Sequence, residues 1–343
     1  MDMDLEHRAK LQSIIDWAIE NEISEDVIPR DIEALSQVTE LELKNYNISE
    51  LPESLGSLTN LNALSIIKCP LINFPACILN LKNLYFLSLE ECQINKLPNQ
   101  IDKLQHLRTL DLGGNALTEF PDSVGNLLRL ESISLSGNKL KQLPNTLSHL
   151  SQLTQLDISG NFFKQFPDVI KNIVLLDQLN LSWNTMTELP SDLRTMKNLT
   201  EIDLSFNRFE QFPKGLCAIT SLEDIIFSHN GLSEITSTIG TMTQLESLHL
   251  FANKIATLPN TICNLHQLTL LDLSDNQISS LPDSVGCLKS LKILRIDNNK
   301  ITGLPDSFEN LTNLEQINLD QDKIENIQNL KKLPKLTNYN TFY

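Results

Sequence analysis

A leucine or its equivalent returns every 23 residues along most of this chain: Val38, Leu61, Leu84, Leu107, Leu130, Leu153, Leu176, Leu199, Leu222, Leu245, Leu268, Leu291 and Leu314. No insertion breaks the phase of these 13 positions. A period that long and that strict confines the chain to a stack of similar supersecondary units, each touching its neighbours. It overrides the two or three separate domains that 343 residues would otherwise suggest. Residues 268–290, LTLLDLSDNQISSLPDSVGCLKS, show the unit well; it reduces to LxxLxLxxNxLxxLPxxLxxLxx.

Each part of the unit has a physical reason. With the first leucine as position 0, the stretch around positions 2 to 6 alternates apolar and polar, which is the period of a strand with its leucines turned inward. The asparagine at position 8 follows that strand, where the chain bends. Its amide can satisfy buried backbone groups that would cost about 1–3 kcal/mol each if left unpaired. The proline fixes φ at the start of the return segment, and the LxxL after it packs as a short helical or 3-10 turn. The apolar side chains are worth about 1.5–3 kcal/mol each when buried, but they bury only against neighbouring units, so one unit alone would not fold.

The pattern LxxLxLxxN/C resembles the leucine-rich repeat, from residue 38 to about 335. The 23-residue form with Leu-Pro is similar to the intracellular Ras-associated scaffold class (Shoc2-like and Erbin-like) and equally to bacterial repeat proteins, some of them effectors delivered into host cells. The resemblance implies an α/β solenoid: a leucine-rich repeat horseshoe with a parallel concave β-sheet, short helical or 3-10 convex segments and an N-terminal helical cap. The expected organisation is a cap with a half repeat over 1–37, twelve repeats over 38–313, and a last repeat with its cap over 314–343. Asparagine holds position 8 from Asn115 to Asn299. Tyr46, Cys69 and Cys92 replace it in the first three units and Asp322 in the last. Cys69 and Cys92 fall where the signature admits cysteine, and the expectation is a pair of buried thiols rather than a disulfide.

The ends depart from the template. Leu5, Leu11, Ile14, Ile15, Ala18 and Ile19 fit one face of a helix over 4–21. Ile28, Pro29, Ile32, Leu35 and Val38 repeat the spacing of a convex segment. At the other end the register drifts by one residue, and Tyr339, Phe342 and Tyr343 are expected to cover the last coil.

Charge narrows the partners. Net charge is −16 with a pI near 4.8, which repels phosphate backbones and leaves a protein with a basic or mixed surface as the fitting partner. MDMDLEHRAK carries acids where a secretory leader needs positive charge, and no run approaches a membrane span. The six cysteines form no CxxC pair. The expectation is a monomeric cytoplasmic protein, of the producing cell or of a host cell.

Positions 2, 4, 6 and 7 of each unit are expected to face outward on the concave side. That face carries Glu40, Glu42, Glu90, Glu91, Asp111, Asp157, Glu201, Asp203, Asp224, Asp272, Asp275, Asp297 and Asp320, against only Lys44, Lys68 and Arg295. Asp at position 4 and Ser at position 6 are also plain features of LDLSxN units, so much of this acidity has a scaffold explanation. The departures are more informative. Position 7 holds Gly114, Gly137 and Gly160, then Trp183, Phe206 and His229. Phe251 at position 6 extends the row, with Ile226 and His249 at position 4 beside it. Aromatic rings among carboxylates have the make-up of an interaction hot spot; rings packing only on one another are the alternative. Residues 222–244 also lose the Leu-Pro, reading Ile235-Thr236.

The expected partner-binding set is therefore Trp183, Phe206, His229, Phe251, Ile226, His249, Asp157, Asp203, Asp272 and Arg295. His249, Asp272 and Arg295 fall on adjacent strands, but no nucleophile is expected beside them, and a cross-strand charge network is the simpler reading. His7, His106, His149 and His266 lie off the face, so no metal site is expected. No phosphate-binding loop GxxxxGK[ST] occurs, so neither a cofactor nor a catalytic residue is expected. The reading is a non-catalytic interaction scaffold. Its alternative is the substrate-recognition component of an enzyme complex such as a ubiquitin ligase or phosphatase assembly.

Overall fold

The structure is a computed structural model that describes residues 4–320 and 324–341. The chain divides into two units, residues 1–162 with 167–175, and residues 163–166 with 176–343. In the first, helix α1 (Leu5–Glu20) and helix α2 (Ile32–Ser36) precede strands β1 (Glu40–Lys44), β2 (Ala63–Ile67), β3 (Phe86–Glu90), β4 (Thr109–Asp111), β5 (Ser132–Ser134) and β6 (Gln155–Asp157). The second contains β7 (Gln178–Asn180), β8 (Glu201–Asp203), β9 (Asp224–Ile226), β10 (Ser247–His249), β11 (Leu270–Asp272), β12 (Ile293–Arg295), β13 (Gln316–Leu319) and β14 (Asn338–Thr341). Within each unit consecutive strands pair in parallel, mostly one period apart, as Glu40 with Ala63 and Glu201 with Asp224. This is the expected solenoid, with 3-10 turns on the return segments.

The asparagines act as the template requires. Asn207 accepts from the Met186 N–H at 2.9 Å and donates to the carbonyls of Leu181, Leu204 and Ser205. Asn138 does the same with Leu117, Leu112, Leu135 and Ser136. Each side chain thus ties its own bend to the preceding coil and leaves few buried backbone groups unpaired there. Cys69 and Cys92 are free thiols that donate to carbonyls at the same place, Cys92 to Ile66 at 3.2 Å. Burial pushes the Cys92 thiol up to about 11. A thiol supplies no counterpart to the amide oxygen, so the Leu71 N–H, which stands where Met186 bonds Asn207, bonds the Cys69 carbonyl at 2.7 Å instead.

Several coils close their strand with a turn at position 4, although β5, β9, β10 and β12 are equally short with Ser134, Ile226, His249 and Arg295 there. Asp203 accepts from the N–H of Ser205 at 2.8 Å, and Asn180 and Asp272 accept from Ser182 and Ser274 in the same way. This Asx turn ends the strand after three residues. The first three coils carry Glu42, Ser65 and Ser88 there, and their strands run to five residues.

Two expectations at the ends need correction. In α1 the buried stripe is Leu11, Ile14, Ile15 and Ala18, whereas Leu5 and Ile19 are exposed. Leu5 sits in the first turn and Ile19 one step past the stripe, so neither reaches the coil beneath. Residues 338–341, expected only as a cap, form β14 and pair with β13 at a spacing of 22, which is the one-residue drift in the sequence. Phe342, Tyr343 and Asp322 lie outside the described residues.

Candidate functional site on the second unit

Position 7 is left-handed in coil after coil. φ is +66°, +62° and +59° at Gly114, Gly137 and Gly160, and +54°, +52° and +53° at Trp183, Phe206 and His229. The turn lets the position 7 N–H continue the parallel ladder, as Trp183 does to the Ser205 carbonyl at 3.0 Å, before Asn184 turns inward. It also throws the position 7 side chain out along the edge of the sheet.

The rings form a ladder. Trp183 and Phe206 stack with centroids 3.8 Å apart and planes 11° apart; Phe206 and His229 stack at 4.0 Å and 15°. Phe251 closes the row edge-on to His229 at 4.7 Å. Trp183, at one end, is 60% exposed. Three left-handed residues cost about 1–2 kcal/mol each relative to glycine, and the three ring contacts return about 0.5–1.5 kcal/mol each, so mutual packing offsets much of that strain.

Beside the ladder, Asp203, Ile226 and His249 lie in register across β8, β9 and β10. Glu201 and Asp224 form the register pair two residues earlier. Burial pushes Glu201 above its ordinary value, and Asp224, Asp203 and Asp177 push it the same way. Burial also pushes Asp224 up, partly countered by the charge of His249 and a hydrogen bond from Ser247. Asp224 Oδ1 is buried without a hydrogen-bond partner.

Other expectations change. Position 6 does not face outward in this unit: Ser182, Ser205, Ser228, Ser274 and Asp297 are buried, because the strands end at position 4 and the chain bends before position 6. Phe251 is half-buried there. Asp272 is in register between His249 and Arg295, but it is 94% buried and spent on Arg295 at 3.0 Å and Ser274 at 2.6 Å. Asp272 and Arg295 therefore neutralise each other and are not free charges for a partner. Asp157 belongs to the first unit, where it accepts from the Ser159 N–H; the site is built without it.

Sequence reasoning missed Ser247, whose hydroxyl lies 2.9 Å from His249 Nε2. A serine does stand beside a histidine, contrary to expectation. The carboxylate of Asp224 bonds that serine rather than the imidazole, and among the described residues no acid is seen hydrogen-bonded to the histidine as acyl-transfer chemistry requires. Among the described residues no group of three or more His, Cys, Asp or Glu has metal-binding placement, and no helix is long and apolar enough to cross a membrane.

Comparison with known proteins fits this architecture. A family model described as a leucine-rich repeat region matches residues 76–161 and 234–342, and one described as Leucine Rich Repeat matches 198–219. No curated protein matches. A solved leucine-rich repeat protein of Leptospira interrogans is 28% identical, over 89% of this chain and 96% of its own, with TM-score 0.62. An internalin of Listeria monocytogenes is 21% identical over 99% and 96%, with TM-score 0.77, and bears on the fold alone. The plant peptide hormone receptor RGFR1, solved in complex with RGF2, is 25% identical over 90% of this chain and 55% of its own, with TM-score 0.67.

Proposed function

The chain belongs to the leucine-rich repeat family, and from that premise we propose that it is a non-catalytic module holding a protein partner on the ladder of Trp183, Phe206, His229 and Phe251. The observation that carries the reading is the ladder itself, three ring side chains stacked on consecutive coils with Trp183 60% exposed at one end. Six other coils hold a side chain at the same left-handed position, Asn45, Lys68, Glu91, Ala252, Asp275 and Asn298, and none of those is aromatic. A run of rings confined to three adjacent coils suits a surface selected for its face. Trp183 presents a large rigid area at a low cost in side-chain entropy, which is what a binding anchor needs. Ile226 and His249 extend the surface, and Asp203 adds charge beside it. The RGFR1–RGF2 complex, a related fold with a bound ligand, supports a peptide or protein partner.

The Leu-Pro turns support a reading of the chain as one of the 23-residue Leu-Pro class. Similarity to the Leptospira protein along nearly its whole length favours the bacterial branch, where an effector acting on host proteins is the natural role. The test is affinity capture with mass spectrometry, comparing the native chain with Trp183→Ala/Phe206→Ala. The expected result is a defined set of proteins retained by the native chain and lost by the variant, with the thermal melt nearly unchanged. Retention by both, or collapse of the fold, would sink the reading.

A further inference from the structure

The carboxylates next to the ladder narrow what the partner must carry. Glu201 and Asp224 face each other across β8 and β9 as like charges in direct register, an arrangement that destabilises a sheet unless something offsets it. Asp203 lies two residues along the same strand as Glu201. Every charge that acts appreciably on Glu201 is another carboxylate. Arg295, expected on this face, is engaged by Asp272. Each carboxylate of the cluster is partly satisfied, Glu201 by the Gln178 amide at 3.1 Å, Asp203 by its own turn, and Asp224 by the Ser247 hydroxyl and the charge of His249. The buried Asp224 Oδ1 has no partner.

We propose that this face takes an extended, arginine-bearing segment of the protein partner, with the guanidinium over Glu201, Asp203 and Asp224 and an apolar or aromatic side chain against Trp183 and Phe206. The proposal rests on the ladder being a binding surface. Arginine rather than lysine follows from geometry. Neighbouring strands are about 4.8 Å apart, and a planar guanidinium can bridge two carboxylates at that spacing where an ammonium acts as a point charge. Spacing follows from the same coordinates. Asp203 and Glu201 precede Phe206 by three and five residues, at most about 10 and 17 Å of chain. An extended ligand rising about 3.3 Å per residue covers that with its arginine two to five residues from its apolar anchor.

The test uses the full chain and an unbiased displayed library of decapeptides. Selection is expected to enrich peptides with arginine at a fixed spacing of two to five residues from an aromatic or large apolar residue. A synthesised winner should bind about tenfold more weakly to Glu201→Gln/Asp203→Asn, a loss typical of charge-assisted bonds. Its arginine-to-lysine version should also bind more weakly, and affinity should fall as salt is raised. Peptides that need Trp183 and Phe206 but no arginine, or that ignore the carboxylate variant, overturn this proposal and leave the ladder reading standing. Winners indifferent to Trp183→Ala overturn both. A library from which nothing enriches overturns the proposal, since an isolated segment is what it requires.

Discussion

The two units fill one backbone position differently. In the first, position 7 is Asn45, Lys68 and Glu91 and then glycine in three coils; in the second it is tryptophan, phenylalanine and histidine and then Ala252, Asp275 and Asn298, at nearly the same φ. The backbone sets the conformation and leaves the side chain open. At Gly137 a Cβ would have its nearest neighbours at 3.5 Å, ordinary contact, so room does not explain the glycine. Both units accept side chains there, so what distinguishes them is the kind of side chain: Asn45, Lys68 and Glu91 are polar and beside glycines in the first, whereas three consecutive rings stack in the second.

That comparison depends on a common scaffold, and the largest expected effect tests it. Asn138→Ala in the first unit and Asn207→Ala in the second each remove one acceptor and a donor shared among three carbonyls. With buried partners left unpaired, each should cost about 3 kcal/mol or more in urea denaturation, and the two costs should match. A large inequality would show that the units differ in more than their rings.

The exchange of side chains is the next test, with a smaller effect. Gly137→Phe should cost about 1–2 kcal/mol, the penalty of a left-handed residue with no ring to stack on. Phe206→Gly should leave stability within about 1 kcal/mol of native, since relief of strain offsets the lost stacking. A large loss in Phe206→Gly would mean that the ladder is a structural brace and not a surface.

How far the sequence could be read follows from the same residues. The 23-residue phase carried the solenoid, the asparagine ladder and the drift into β14, because stacking admits only one register. The ring ladder was also legible: Trp183, Phe206 and His229 share one position of consecutive units, and Gly114, Gly137 and Gly160 at that same position mark a left-handed turn. Two things were hidden. Extending alternation from positions 2 and 4 to position 6 fails in the second unit, because strands β7 to β12 all end at position 4, with Ile226, His249 or Arg295 there as well as with Asn180, Asp203 or Asp272, and periodicity does not encode that bend. The pairing of Asp272 with Arg295, and of His249 with Ser247, depends on rotamers and cross-strand reach. Sequence brought those residues together but did not say which would bond.

Position 6 supplies the smallest and most discriminating effect. Its usual serine is replaced by Asp297, which is 92% buried with Oδ1 unpartnered. Burial raises it above its ordinary value of 3.8; a bond from its own N–H lowers it, and Asp272, Asp275 and Asp320 raise it further. A carboxyl whose folded pKa lies above its unfolded one binds its proton more tightly when folded. Stability is therefore present below about 3.8 and is lost as pH rises through the raised folded value. At neutral pH the native chain bears that cost in full. Asp297→Ser restores the consensus and should stabilise the chain by about 1 kcal/mol at pH 7. The advantage should shrink as pH falls toward 4, read from urea midpoints of both proteins across that range. If serine instead destabilises at neutral pH, Asp297 makes an interaction that repays its burial, and position 6 joins position 7 as a place where the second unit departs from the template for a reason.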